Sequence, residues 1–185
     1  MGCGKSSVGK KLSELLCCPF MDLDDEIVAR EGRSIAEIFE KDGEGEFRRI
    51  EKEVLREILD TSSSGVLALG GGAVMTEGSE MMVHEGTMCI YLKASVDTLV
   101  EHLTGETDGR PMLSQSMGAQ SGVPNCPQHV MSSEVETSPL RKRILELMSL
   151  RAETYQRTAH LIIETDGKSI DEIANEIMKL KHTIL

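Results

Sequence analysis

Gly4-Lys5-Ser6 has the residue types and order of the back half of a phosphate-binding loop. In the full pattern, G-x-x-x-x-G-K-[ST], backbone N–H groups at a helix N-terminus point at a polyphosphate. The lysine reaches the β- and γ-phosphates and the hydroxyl binds Mg²⁺. Gly2, Cys3, Gly4, Lys5, Ser6 and Ser7 are therefore the candidate phosphate-binding residues, although G-K-S alone also fits an ordinary helix start. Asp22 and Asp24 stand two apart, so an extended chain puts both on one side. One carboxylate can hold a metal-bound water while the other takes a hydrogen bond or a proton from a substrate hydroxyl; D-x-D-D equally fits an acidic turn capping a helix.

Arg48 and Glu51 lie three apart on one helix face, either as a surface ion pair or as a guanidinium held ready to receive a carboxylate. Gly70-Gly71-Gly72 follows an apolar run. Successive glycines weaken a fold unless the backbone must turn sharply or let a ligand approach. Arg110, before Pro111, and Arg151, four before Tyr155, complete a set of candidate anion-binding arginines in a chain of formal net charge −11.

That acidic balance excludes a nucleic-acid surface and favours a small-molecule partner with locally arranged basic contacts. No apolar run reaches the length of a membrane span, and the N-terminus shows no secretory signal pattern, so the reading is a cytoplasmic protein with no membrane partner. Five cysteines without C-x-x-C spacing read as free thiols in a reducing compartment. Cys126 and His129 do not amount to a metal site, since no second ligand pair is evident. A length of 185 residues suits one domain with a sizeable core.

The elements that must position these residues alternate between short apolar strands and helices. Val8, Leu12, Leu15 and Leu16 give a helix directly after the loop, and residues 18–22 a short strand with Asp22 at its end. A helix through Ile27 and Val28 stops at Gly32. Ser34 and Glu37 form a capping box opening the next helix, which is interrupted at Asp42-Gly43 and resumes through Phe47, Ile50, Val54, Leu55 and Ile58. Strands are expected at 66–69, 87–92 and 161–164, and helices near 79–84, 96–103, 140–151 and 170–180. Residues 114–138 are rich in Ser, Gly, Pro, Gln and Asn and read as a functional lid or an insertion. This alternation implies an α/β fold with a parallel sheet, whose ligands gather at the C-terminal strand ends.

With these pieces in place the chain resembles the shikimate kinases over nearly its whole length. The resemblance is carried by G-C-G-K-S-S-V-G-K (2–10), F-M-D-L-D-D-E-I (20–27), E-G-R-S-I-A-E-I-F (31–39), G-E-G-E-F-R-R-I-E (43–51), A-L-G-G-G-A-V (68–74), R-P-M-L (110–113) and R-A-E-T-Y (151–155). It implies a three-layer α/β/α P-loop kinase fold over residues 1–185, with 111–139 as an extended lid. The implied activity is ATP-dependent phosphorylation of shikimate by a monomer that uses Mg²⁺. Lys5 and Ser6 match the ATP-phosphate and Mg²⁺ residues, and Asp22 the acidic residue that meets the metal, directly or through water. Asp24 matches the aspartate that binds the shikimate hydroxyls and takes the reacting proton. Arg48 and Arg151 match the holders of the shikimate carboxylate, Gly70, Gly71 and Gly72 the backbone lining the substrate, and Arg110 the lid arginine that meets ATP and the transferring phosphoryl group.

The sequence departs from the family pattern in four places. The central first strand and the opening glycine of the loop do not precede Gly2, so an incomplete N-terminus or an alternative gene product is expected, with two neighbouring strands exposed. The stretch from Arg110 to Arg151 is much longer. An arginine that stacks on adenine has no match, Leu103 lying near its place, and R-P-M-L replaces R-P-L-L. Another P-loop small-molecule kinase, or a kinase-like binding protein that has lost turnover, are the alternative readings.

Overall fold

The computed structural model describes residues 2–61, 64–104 and 138–184. The chain begins with α1 (Lys5–Leu16), β1 (Phe20–Asp22), α2 (Leu23–Glu31) and the long α3 (Ile35–Thr61). There follow β2 (Val66–Ala68), a 3₁₀ turn (Ala73–Met75), α4 (Ser79–Gly86), β3 (Ile90–Lys93) and α5 (Val96–Thr104). α6 (Pro139–Thr158), β4 (Leu161–Glu164) and α7 (Ile170–Ile184) complete the order. Arg110 and nearly all of 111–139 lie outside the described residues, as does Cys126. Cys3, Cys17, Cys18 and Cys89 are free thiols.

Local chemistry sets the helix boundaries. Gly32, at φ 64°, ends α2 in the left-handed conformation that costs glycine least. Ser34 and Glu37 form the reciprocal capping box: the Ser34 N–H donates to the Glu37 carboxylate (2.8 Å) and the Glu37 N–H to Ser34 Oγ (3.3 Å). Gly43 (φ 82°, ψ 172°) breaks α3 into two segments where Asp42-Gly43 suggested an interruption. Beyond that kink the helix turns Phe47, Ile50, Val54 and Leu55 into one core. Leu23 and Ile27 of α2, both fully buried, join them there, each contributing about 1.5–3 kcal/mol by leaving water.

The strands are parallel, as expected, but they form two separate pairs, β1–β2 and β3–β4. Two expected strands are shorter than the apolar runs suggested. The stretch 87–92 yields a strand only from Ile90, because its first residues bond elsewhere. Thr87 Oγ1 donates to the Val83 carbonyl (2.7 Å), and the Cys89 N–H donates to His160 Nδ1 (3.1 Å). Likewise 66–69 ends at Ala68, where the chain enters the glycine run.

Helices cover both faces of the strands. α1 and α7 pack on one side through Val8, Leu12, Ile173 and Ile177, with Ile163 of β4 between them. α3 and α4 cover the other face, and α6 meets α4 and the 3₁₀ turn there. A third apolar cluster joins Ala94, Leu99, Leu103 and Ile144, with Cys3 packed on it, and so ties the start of the chain to α5 and α6. Among the described residues no helix is long and apolar enough to cross a membrane.

Candidate active site

Three chain segments bring the site together at the C-terminal ends of β1 and β2. The first is the turn into α1. Gly4 caps it at φ 76°, a left-handed conformation in which an L side chain is strained, and nothing lies within 4 Å of where its Cβ would stand. The N–H groups that follow therefore open outward from the helix start, the arrangement that binds anions. Gly2 is pinned behind them: its carbonyl accepts from His102 Nδ1 (2.6 Å), and Leu103 Cγ lies 3.0 Å from its Cβ position. Leu103 itself is buried in the α5–α6 cluster, so this residue supports the loop from beneath. Cys3 packs in that same cluster, while Ser7 faces solvent.

The second segment is the end of β1. Ser6 Oγ donates to Asp22 Oδ2 at 2.7 Å, joining the loop to the acidic pair. Asp22 is also the N-cap of α2, its other oxygen accepting from the Asp24 N–H at 3.2 Å. The capping reading of D-x-D-D is thus correct for Asp22, and it coexists with a place beside Ser6. Asp24 behaves differently. Burial, reinforced by the charge of Asp22, pushes its carboxyl pKa up, with Lys5 and Arg48 opposing. A carboxylate held in this way is a better proton acceptor than a solvated aspartate.

The third segment runs from the glycine triplet to α3 and α6. Asp24 Oδ1 lies 3.0 Å from where a Gly70 Cβ would stand. A Cβ on Gly72 would collide with the Arg48 guanidinium, so a bare backbone is required for Arg48 to lie there. Arg48 Nη1 donates to Glu51 Oε2 at 2.6 Å and Nη2 to Glu44 Oε1 at 3.3 Å, with the guanidinium 5.1 Å from the Phe47 ring centroid. Arg151 Nη1 donates to the Gly71 carbonyl at 3.1 Å, and the Tyr155 hydroxyl donates to the same oxygen.

Glu51 is only 2% exposed. Burial raises its pKa while Arg48 lowers it; Asp24 and Arg151 also bear on it, raising and lowering it respectively. Asp24, Arg48 and Arg151 therefore share one electrostatic neighbourhood around Gly70–Gly72. Arg110, the remaining arginine of the sequence set, lies outside the described residues.

One residue of this site, Tyr155, carried no assigned role in the sequence reading, and of the two readings of the Arg48–Glu51 pair the structure shows the partly buried one. Glu51 orients Arg48 and Tyr155 braces Gly71. The signals were present as spacing, Arg48 to Glu51 at i,i+3 and Arg151 to Tyr155 at i,i+4, but spacing does not say which pairs become buried.

Known proteins share the family and the fold of this chain. The family model described as shikimate kinase matches residues 1–181. A shikimate kinase of Dictyoglomus turgidum is 34% identical over 181 residues, covering 97% of this chain and 91% of that protein. One of Streptomyces avermitilis is 35% identical over 178 residues, covering 96% and 89%. Among solved structures, shikimate kinase from Acinetobacter baumannii in complex with shikimate superposes with a TM-score of 0.79 at 29% identity, covering 99% of this chain and 89% of that one.

Proposed function

Because the chain belongs to the shikimate kinase family, we infer that it catalyses the ATP-dependent phosphorylation of shikimate, a step of aromatic amino-acid biosynthesis. One observation of the fold carries the assignment of residues to that reaction. Two arginines and a half-buried aspartate converge on a glycine triplet, beside a lysine and a serine at a helix start.

In this reading Gly2, Cys3, Gly4, Lys5, Ser6 and Ser7 wrap the ATP phosphates, with Lys5 neutralising charge on the transferred group. Arg48 and Arg151 receive the substrate carboxylate, a bidentate task suited to guanidinium. Arg48 is already oriented for it by Glu51. Gly70, Gly71 and Gly72 let the substrate approach the backbone. Asp24 binds the reacting hydroxyl and accepts its proton, a role its raised pKa favours. Arg110 closes over the phosphoryl group, and residues 111–139 act as a lid that keeps water out.

Ser6 Oγ and the Asp22 carboxylate, 2.7 Å apart, are hard oxygen donors of the kind Mg²⁺ takes together with substrate phosphates and water. When bound there, Mg²⁺ supplies charge stabilisation on the phosphate oxygens. We read residues 1–185 as one domain working as a cytoplasmic monomer.

A coupled ADP-release assay with purified protein, ATP and Mg²⁺ tests the assignment. ADP release should depend on shikimate and not respond to gluconate. Shikimate binding by calorimetry with no ADP above the ATP-only background would make the protein a binding protein instead.

A further inference from the structure

The Gly71 carbonyl accepts two hydrogen bonds from α6, one from Arg151 Nη1 at 3.1 Å and one from the Tyr155 hydroxyl. A carbonyl oxygen has two lone pairs, so these donors fill it. They differ in how firmly they are held. Arg151 reaches Gly71 through a long, flexible side chain, and among the described residues it makes no ion pair. Tyr155 is short and stiff, and its ring packs 5.3 Å from the Tyr91 ring of β3. Its stretch of α6 is also pinned to α4. Arg157 Nη2 donates to Glu80 Oε2 at 2.7 Å, and His84 Nδ1 donates to the Thr158 carbonyl at 3.0 Å. Burial raises the Tyr155 phenol pKa above the ordinary tyrosine value, so the hydroxyl keeps its proton at neutral pH.

We propose that Tyr155 is a positioning residue for Arg151: by holding the Gly71 carbonyl, it lets the guanidinium leave that oxygen and turn to the substrate carboxylate. The proposal rests on the reading of Arg151 as a carboxylate holder. A guanidinium grips a carboxylate best through two parallel N–H groups, and Arg151 offers its whole fork only once Nη1 has left Gly71. A half-buried oxygen left with no donor would oppose that release. With Tyr155 bonded to it, the oxygen keeps one donor throughout, and the exchange swaps a neutral acceptor for a charged one.

The two arginines are thus held for different tasks. Arg48 is fixed by the carboxylates of Glu51 and Glu44, charge-assisted bonds about twice as strong as neutral ones. Arg151 rests on a neutral oxygen that a second donor already covers, so little holds it back when an anion arrives. Arg48 supplies a fixed contact and Arg151 one that closes onto the ligand.

Calorimetry with shikimate and no ATP, together with steady-state kinetics on the full chain, tests this. Tyr155→Phe keeps the ring and removes only the hydroxyl. It should weaken shikimate binding about tenfold and raise shikimate KM to match, while kcat falls far less and ATP KM stays unchanged. The Arg151→Ala/Tyr155→Phe double variant should bind shikimate no more weakly than Arg151→Ala alone, since Tyr155 acts through Arg151. Tyr91→Phe removes the neighbouring hydroxyl, which is not one of the two donors to Gly71, and should leave shikimate affinity unchanged. Three outcomes would overturn the proposal and leave the kinase reading standing. One is wild-type affinity in Tyr155→Phe, whatever its melting temperature, and a second is an additive loss in the double variant. The third is an equal loss in Tyr91→Phe, which would assign the effect to ring packing. A wild-type protein that binds no shikimate would overturn the kinase reading itself, and this proposal with it.

Discussion

The two halves of the cleft are built by different means. On the substrate side each charged group is held by another part of the protein: Arg48 by Glu51 and Glu44, Arg151 by Gly71, and Asp24 by burial against Gly70. The two arginines stand on the long helices α3 and α6, so their positions are set by packing. On the nucleotide side the loop rests on Ser6–Asp22, on the Gly2–His102 bond and on Leu103, while Gly4 touches nothing at its Cβ position. Among the described residues Lys5 makes no ion pair or side-chain hydrogen bond. On the proposed assignment, recognition of the carboxylate is arranged before substrate arrives, whereas phosphate recognition relies on backbone N–H groups and the helix dipole, which need only the local turn.

The largest expected break in this comparison is Asp24→Asn. Losing the proton acceptor should lower kcat about a thousandfold, with ATP affinity unchanged by calorimetry. The same change should raise the melting temperature. The folded pKa of Asp24 lies above its unfolded value, so the carboxylate opposes folding above the folded pKa and ceases to oppose it as pH falls below the unfolded one. For the wild-type enzyme the acid limb of the kcat/KM profile should accordingly lie above the ordinary aspartate range. A variant that keeps its turnover removes Asp24 from proton transfer.

Next is Arg48→Ala. It removes a carboxylate receptor and strands the buried Glu51, so shikimate KM should rise about a hundredfold, equivalent to about 3 kcal/mol, with ATP KM unchanged. The melting temperature should fall as well. Adding Glu51→Gln should restore the melting temperature without restoring shikimate KM, separating the structural from the binding role. If shikimate KM does not move, the substrate half is wrongly drawn.

The smallest effect is expected on the other side. Gly4→Ala places a side chain in a left-handed conformation with open space around it, a backbone cost of about 1 kcal/mol. ATP KM should rise about fivefold and shikimate KM should not change. A larger effect on shikimate would show the two halves to be coupled more tightly than their contacts suggest.

Much of this was legible in the residues themselves. The Gly32 stop, the Ser34–Glu37 box and the Gly43 interruption depend on neighbours within four positions, so local chemistry determined them. The helical and strand periods were also readable, as was the convergence expected of strand ends in a parallel α/β fold. Tertiary structure decided what spacing leaves open. It made Asp22 at once a cap and the partner of Ser6, buried Glu51 and raised the Asp24 pKa. It also set Tyr155 against a carbonyl 84 positions away in sequence. Desolvation and strand partnership depend on what distant segments do, which no local pattern encodes.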